Sequence, residues 1–299
     1  MNLTGPVLRY FLEVARTGSI SQASEQLHVA ASAISRQIAK LEHDLGVPLF
    51  ERRPRGMVLS EAGEVPAAYA RRSRLESEQV IEEIRGLSAL RHSVIRLASS
   101  EGFARDLLPE AIVAFRESYP GVRFRLRVET PSAATDAVRE GTADLAVTYA
   151  LAPEPDVKVE YSAAQPIHAL VPAGHPLTER TEVRLADLLP YPLALMEKGT
   201  TIRQLFDICV SLEGLRFEPA FVSNYSGALY GFVQNNGGVT IAGSLTHRRR
   251  LGPDGLVAVP ISDPEMSRRS LQIQSMAQRT LPKAVSAFLG HLIAHIEGP

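Results

Sequence analysis

The sequence of 299 residues has a single cysteine, Cys209, and no long apolar run. One cysteine excludes an intrachain disulfide and fits a reducing cytosol. No segment approaches the ~20 uncharged apolar residues that a bilayer-spanning helix requires. The N-terminus lacks the basic start and apolar core of a secretory signal. We therefore expect a cytoplasmic protein that does not enter a membrane.

The sequence also lacks an excess of charge of either sign. Its 32 lysines and arginines face 33 acidic residues, for a formal net charge of -1. With 22% charged and 45% hydrophobic residues, the composition is that of an ordinary globular protein and excludes bulk disorder, collagen and coiled-coil rods. Contact with nucleic acid would have to come from where the charges are placed, because no segment is strongly basic.

The first sixty residues carry apolar spacing typical of three helices. Thr4 can cap the first helix and Gly18 can end it. Ser19 can cap the second helix, which is expected to run through Leu27. Gly46 is placed to end the third helix. The third helix is expected to bury the stripe Ile34, Ile38, Leu41 and Leu45.

A short helix, a tight turn and a longer helix form the helix-turn-helix plan, which places its second helix in the DNA major groove. The polar side of that helix can bond base edges and phosphates. Two short strands are expected over 49–50 and 57–59, and the basic tip between them forms a wing suited to phosphate or minor-groove contact. The alternative is a polar helix face that is only solvated. The candidate DNA-binding residues are Ser32, Ser35, Arg36, Gln37 and Lys40 on the helix and Arg52, Arg53 and Arg55 in the wing.

The N-terminal segment closely resembles the LysR-type transcriptional regulators. Residues 32–38 (SAISRQI), 45–52 (LGVPLFER) and 59–63 (LSEAG) carry much of the resemblance. The resemblance implies DNA contact by Ser32, Ser35, Arg36 and Gln37, with the wing arginines on the DNA backbone. The family often has a polar pair just before this motif, whereas this chain has Ala30 and Ala31, so a helix cap and a base contact are missing.

Residues 61–91 are expected to form a long helix with Ser60 as its N-cap. A one-sided helix that its own domain does not cover usually pairs with a copy of itself, and in the resembled family this segment is the dimerisation helix. Pro66 lies beyond the first turn, so the helix either starts later or bends there. The expected apolar seam consists of Val65, Tyr69, Leu75, Val80, Ile84, Leu87 and Leu90.

Residues 92–299 are predicted to form two α/β lobes with parallel sheets, because strand and helix patterns alternate along them. Lobe I is expected to hold 92–162 and 268–299, and lobe II to hold 163–267. By resemblance this is the periplasmic-binding-protein-like effector domain of the family, with the ligand between its lobes. The expected fold class is therefore α/β with an all-α-plus-wing N-terminal domain: a winged helix-turn-helix over 1–60, the linker helix, and the two-lobed domain.

Polar side chains follow the predicted strand ends and open the predicted helices beside this cleft. Exposed N–H groups there favour anions, and hydroxyl groups with a nearby arginine suit a carboxylate. An acidic residue in the set argues against a purely anionic ligand, or for one with an amino group or hydroxyl. For each hydroxyl, ordinary helix capping is an equal alternative. The candidate effector-binding residues are Ser99, Ser100, Glu101, Thr130, Ser132 and Thr148 in lobe I, and Thr200, Thr201, Arg203, Ser223, Asn224 and Tyr225 in lobe II.

Three other patterns are more typical of solvent-exposed surface than of a binding or catalytic site. Arg123, Arg125 and Arg127 alternate along a strand, as a solvated edge or a subunit interface would. The basic run 248–250 is expected to be a solvated loop. His291 and His295 are spaced for two metal ligands but are expected to form a polar helix face, since no third ligand is near them in the sequence.

Together these patterns predict a DNA-binding regulator and not an enzyme, with no cofactor and no metal. The expected partners are double-stranded DNA at a pseudo-palindromic promoter site, a carboxylate-bearing or aromatic effector, and the chain itself. We expect a dimer through 61–91 and then a tetramer; RNA polymerase is a further candidate partner. The opposing hypothesis is a solute-binding protein or enzyme built on the two-lobed domain. The helix-turn-helix and the absence of catalytic motifs count against it.

Overall fold

The computed structural model describes residues 5–54, 56–85, 93–152, 154–243 and 255–298. The chain divides into one unit of Met1–Ala89 with Gln278–Pro282 and a second unit of Leu90–Ala277 with Lys283–Pro299. Five residues or segments named above lie outside the described residues: Thr4, Arg55, Leu87, Leu90 and 248–250.

The first unit contains three helices, a two-stranded hairpin and a long helix. In chain order they are α1 (Pro6–Thr17), α2 (Ile20–Leu27), α3 (Ala31–Leu45), β1 (Phe50–Arg53), β2 (Gly56–Leu59) and α4 (Glu61–Arg85). Gly18 ends α1 with φ 67°, a left-handed conformation that glycine adopts without steric cost. Ser19 Oγ accepts from the amide of Gln22, and Gly46 ends α3 with φ 73°, so these predicted helix ends are confirmed.

The core of this unit is apolar residues from all three helices and the hairpin. Phe11 and Phe50 join the first helix to the wing, with ring centroids 5.2 Å apart. Ile34 and Ile38 are buried as predicted, but Leu45 is 52% exposed. The expectation for Leu45 was wrong because it is the last residue of α3 and lies beyond the core cluster, which on this helix reaches only to Leu41.

The long helix begins where its predicted cap places it. Ser60 Oγ accepts from the amide of Gly63 at 3.0 Å and donates to the Pro48 carbonyl at 2.8 Å. Pro66 lies inside α4, so the alternative of a later helix start is wrong. Of the predicted seam, Leu75 is buried within the chain. The exposed seam residues are Val65, Tyr69, Val80 and Ile84.

The second unit consists of two lobes, each built on a five-stranded sheet. Lobe I contains β3 (Val94–Ser99), α5 (Glu101–Ala104), α6 (Leu107–Ser118), β4 (Arg123–Val128), α7 (Pro131–Arg139), β5 (Leu145–Ala150), β6 (Val157–Ala164), β12 (Ser270–Met276) and α10 (Lys283–Glu297). Lobe II contains β7 (Ile167–Pro172), β8 (Leu193–Met196), α8 (Thr201–Leu212), β9 (Phe221–Ser223), α9 (Ser226–Gln234), β10 (Val239–Gly243) and β11 (Leu256–Pro260). Each lobe packs its helices against its own sheet; in lobe I, Phe115, Phe124 and Phe288 cluster with centroids 4.8–6.0 Å apart.

The sheets are mixed, and the expectation of parallel sheets was wrong in this respect. In lobe I the order is β4-β3-β5-β12-β6, and β12 runs antiparallel to both of its neighbours. In lobe II the order is β11-β7-β10-β8-β9, with β7 antiparallel to β10 and β11. The antiparallel strands are those next to the passages between the lobes, where the chain enters each sheet from the opposite end.

Two passages of chain cross between the lobes, one between β6 and β7 and one between β11 and β12. The amide of Gln165 in the first donates to the carbonyl of Arg269 in the second at 2.8 Å. The two crossovers are thus joined side by side, and they define where the lobes can move relative to each other. Within the described ranges, no helix has the length and apolarity needed to span a membrane.

Candidate DNA-binding and effector sites

The candidate DNA-contacting side chains of α3 lie along the side opposite its buried stripe. Ser32, Ser35, Arg36 and Lys40 are exposed, and Gln37 is half-buried. Ala30 is the N-cap of α3 and offers no side-chain hydrogen bond, so the missing cap expected from the sequence is observed. The first-turn amides of α3 therefore lack a side-chain acceptor from the cap position.

The wing is held against the helices by main-chain contacts. Glu42 Oε1, on α3, accepts from the amides of Leu49 at 2.8 Å and Phe50 at 3.3 Å. The Met57 amide donates to the Gly18 carbonyl at 2.8 Å, and a Cβ on Gly56 would lie 2.6 Å from that same oxygen. Gly56, with φ 125°, permits this approach where a larger residue would clash.

The wing arginines are exposed, and one of them is paired. Arg53 Nη2 lies 3.0 Å from Glu51 Oε2, an ion pair that partly neutralises the charge of Arg53. Arg52 is exposed on β1, one residue before that strand ends at Arg53. Arg55, the third predicted member, lies outside the described residues.

Three of the predicted effector residues meet between the ends of β3 and β5. Ser100 and Thr148 are buried, and their hydroxyl oxygens lie 2.9 Å apart. Ser99 is buried next to them and donates to the Ser100 carbonyl at 2.9 Å. Their adjacency follows from the parallel pairing of β3 with β5, which brings two strand ends to one edge of the sheet.

Glu101 bridges the two lobes. Its carboxylate accepts from the amide of Ser226 at 3.0 Å and from the Ser226 hydroxyl at 2.8 Å. Glu101 opens α5 in lobe I and Ser226 opens α9 in lobe II. A carboxylate at a helix N-terminus is favourable because unsatisfied amides and the helix dipole face it. The contact therefore holds the lobes together at this edge of the cleft.

Most of the other predicted effector residues have local partners. Thr130 caps α7 and lies 3.3 Å from Ser132, and Thr200 caps α8, so capping accounts for both threonines. Arg203 donates to Asp207 at 2.8 Å and to the Met196 carbonyl at 3.1 Å, and it lines a concavity of about 580 Å³ on α8. Half-buried Thr201 opens α8, Ser223 accepts from the amide of Tyr225, and Asn224 and Tyr225 are exposed.

Sequence reasoning missed a cluster at the crossovers. The guanidinium carbon of Arg269 lies 3.9 Å from the ring centroid of Tyr149, and Arg269 is only 3% exposed. Burial lowers the pKa of the Arg269 guanidinium, while burial raises the pKa of the Tyr149 phenol in spite of the adjacent cation. Arg269 lies next to the predicted boundary between lobe II (163–267) and the second part of lobe I (268–299), which was the available signal, but its burial could not be predicted from the sequence.

The two histidines of α10 contact α6. His291 Nε2 lies 3.1 Å from the Ala111 carbonyl, and His295 lies 3.7 Å from Glu110. Cys209 is buried, and burial raises the pKa of its thiol to about 11, so it is a core residue and a poor nucleophile. Over the described residues, no group of three or more His, Cys, Asp or Glu side chains is arranged to hold a metal ion.

Comparisons with known proteins agree with this architecture. Residues 7–64 match the family described as "Bacterial regulatory helix-turn-helix protein, lysR family", and residues 88–297 match the "LysR substrate binding domain". The chain belongs to the LysR family of transcriptional regulators. It is a DNA-binding regulator with an effector-binding domain, and not an enzyme. The resemblance to this family, predicted from the N-terminal segment, is therefore confirmed, and so is the predicted fold class.

The relatives span the whole chain. The transcriptional dual regulator GltC of Bacillus subtilis is 33% identical over 290 residues, which cover 93% of this chain and 92% of that protein. The structure of a full-length OxyR variant from Pseudomonas aeruginosa is 22% identical in sequence with a TM-score of 0.68, covering 98% of this chain and 95% of that one. CbnR, solved in complex with its target DNA, is 22% identical with a TM-score of 0.53, covering 97% of this chain and 98% of that one.

Proposed function

We propose that this regulator binds a pseudo-palindromic DNA site as a dimer and that a carboxylate-bearing or aromatic small molecule, held between lobes I and II, controls it. The observation that carries the proposal is the Glu101–Ser226 bridge, which makes the lobe arrangement depend on a few polar contacts. A ligand that binds one arrangement more tightly than the other shifts the balance between them.

The DNA contact is supported by the chemistry of α3. Arg36 and Gln37 can form bidentate hydrogen bonds with guanine and adenine, whereas Ser32 and Lys40 suit phosphates. Residues 1–60 carry only two more basic than acidic residues, so non-specific binding is weak, and it depends on salt because it comes from phosphate contacts. Two copies on one DNA would double the few well-placed contacts, and CbnR shows the same fold on its DNA target.

Dimerisation is supported by the surface of α4. Val65 is 73% exposed, Tyr69 55% and Ile84 75%, an unusual amount of apolar surface for one side of a charged helix. Pairing with a second copy of α4 buries these side chains. A tetramer and a contact with RNA polymerase are further proposals that follow from the family resemblance alone.

Gel shifts of the full-length protein with DNA from upstream of its own gene test the DNA-binding proposal. We expect Gln37→Ala to relax base preference by about 1–3 kcal/mol at one position, because a bidentate base contact is lost. We expect Arg52→Ala to weaken binding similarly on all DNA sequences and to reduce the salt dependence by about one counterion.

Gln22→Ala, on the exposed surface of α2, is the matched control for Gln37→Ala. Unchanged base preference in Gln37→Ala would show that α3 does not read bases through this residue. If the intact protein gave no specific shift at moderate salt, the DNA-binding proposal would fail.

A further inference from the structure

Arg269 is a buried cation with two unpaired donors. It is 3% exposed, and its Nε and Nη2 atoms are buried without a hydrogen-bond partner. Arginine keeps its proton at physiological pH, so the group is a charged one. Burying a charge without a partner is unfavourable, and buried arginines are normally paired with carboxylates or carbonyls. Within the part of the chain that the structure describes, this arginine therefore lacks the counter-charge that its environment requires.

Among the residues that the structure describes, the groups around the guanidinium offer no counter-charge. The electrostatic neighbours that favour its charged form are the side chains of Tyr149 and Tyr230, which are phenols and not carboxylates. The Tyr149 ring contacts the guanidinium and also Phe103, whose ring centroid lies 4.3 Å from that of Tyr149. The Tyr149 hydroxyl is itself buried without a hydrogen-bond partner. Glu101 accepts its described bonds from Ser226.

The cluster lies between the lobes. Tyr149 is on β5 of lobe I, Arg269 is in the second crossover, and Gly243 ends β10 of lobe II. A Cβ on Gly243 would lie 2.0 Å from Arg269 Nη2 and 3.7 Å from the Tyr149 hydroxyl. The guanidinium edge and the phenol oxygen thus both lie close to the main chain of lobe II at Gly243. A residue with a side chain at this position would clash with the guanidinium.

We propose that Arg269 is the anchor for the carboxylate of the effector. The unpaired atoms Nε and Nη2 form one edge of the guanidinium, the fork that pairs side-on with the two oxygens of a planar carboxylate. The Tyr149 hydroxyl donates a third hydrogen bond. This inference rests on the proposed function, because it names the chemical group by which the cleft recognises its ligand.

The same geometry couples binding to the arrangement of the lobes. Both nitrogens are enclosed here, and Nη2 faces Gly243 of lobe II. A carboxylate reaches them when the lobe II edge moves away from the crossover. The ligand therefore favours a lobe arrangement different from this one, which is the differential affinity that control by a small molecule requires.

Thermal unfolding of the full-length protein tests the inference, with acetate, succinate and benzoate as probes at millimolar concentration. Acetamide, succinamide and benzamide are the matched neutral compounds, and inorganic phosphate is the tetrahedral anion. We expect at least one carboxylate to raise the melting temperature while its amide and phosphate do not. Arg269→Gln abolishes this response, and Arg268→Gln, at the exposed neighbouring position, keeps it.

The unliganded variants separate binding from a structural role. Arg269→Gln removes an unpaired buried charge, so without ligand it melts no lower than the original chain. If Arg269→Gln does not fold, Arg269→Lys keeps the charge without the fork and weakens carboxylate binding about tenfold or more, and Tyr149→Phe weakens it about tenfold.

Several outcomes would overturn the inference: an equal response by Arg269→Gln, an equal response to the amides, or phosphate as the only stabilising probe. An absence of response to every carboxylate also overturns it. The proposed function stands in each of those cases if the full-length protein still shifts its DNA specifically. Loss of specific DNA binding by the intact chain would instead contradict the proposed function.

Discussion

At the scale of single residues, some functional candidates can be identified from a sequence motif, whereas others can be identified only from their burial in the structure. Gln37 and Arg52 belong to a recognisable motif, and in the structure Arg52 is exposed and Gln37 is half-buried. Arg269 belongs to no motif, and its importance lies in being a cation that is 3% exposed with two unpaired nitrogens. The sequence shows which residues are charged, but it does not show which of them are buried away from water in the folded chain.

Gly63 illustrates a residue whose role is close packing. A Cβ at this position would lie 2.1 Å from the Leu49 carbonyl oxygen, a main-chain atom that cannot move aside cheaply. We expect Gly63→Ala to destabilise the N-terminal unit by about 1–3 kcal/mol, as measured by urea unfolding with circular dichroism.

Gly290→Ala is the control for this prediction. It makes the same change in a helix where nothing lies within 4 Å of the added Cβ. Alanine should stabilise that helix by about 1 kcal/mol, because it has the higher helix propensity. Equal effects of the two substitutions would show that the close contact at Gly63 does not matter.

At the scale of elements, α4 is a helix whose apolar side chains are only partly covered within a single chain. Its apolar residues are split between Leu75, which is buried in the chain, and Tyr69 and Ile84, which are exposed. Hydrophobic periodicity marked them all as one seam, because a helical pattern shows which residues share a side and not what covers them.

We expect Ile84→Asp or Tyr69→Asp to weaken self-association about tenfold or more, since a charge replaces an apolar group that pairing would bury. Sedimentation equilibrium of the full-length protein measures the change. Gln234→Glu adds one negative charge at an exposed position of lobe II and should leave self-association unchanged. An unaltered association constant in both α4 variants would exclude this surface as the dimer contact.

At the scale of the whole molecule, the two-lobed domain depends on long-range contacts. Glu101 and Ser226 are 125 residues apart in the chain and connect the lobes. Hydrogen bonds to a charged group contribute about 1.5–3 kcal/mol, enough to change which lobe arrangement predominates.

Ser226→Ala removes one of the two bonds to Glu101. We expect amide hydrogen exchange at the starts of α5 and α9 to become about tenfold faster, because the lobes separate more often. Ser226→Thr keeps the hydroxyl and should keep the original exchange rate. If Ser226→Ala exchanged no faster, the bridge would not control lobe separation.

The winged helix-turn-helix, its helix ends and the family could be predicted from the sequence because they depend on local chemistry. Ser19, Gly46 and Ser60 act within a few residues of themselves, and their roles were visible at once. The strands β6, β11 and β12 form antiparallel pairs with distant segments of the chain, so their pairing could not be predicted from the sequence. For β6 and β11 the sequence did not predict the strand itself. The same holds for the proposed ligand site between the lobes. Ser100 and Thr148 could be predicted because they follow the ends of strands. Arg269, Tyr149 and Gly243 are far apart in the sequence and come together only when the two sheets and the two crossovers pack against each other. Burial in that contact excludes water from Arg269 and leaves two of its nitrogens without a hydrogen-bond partner.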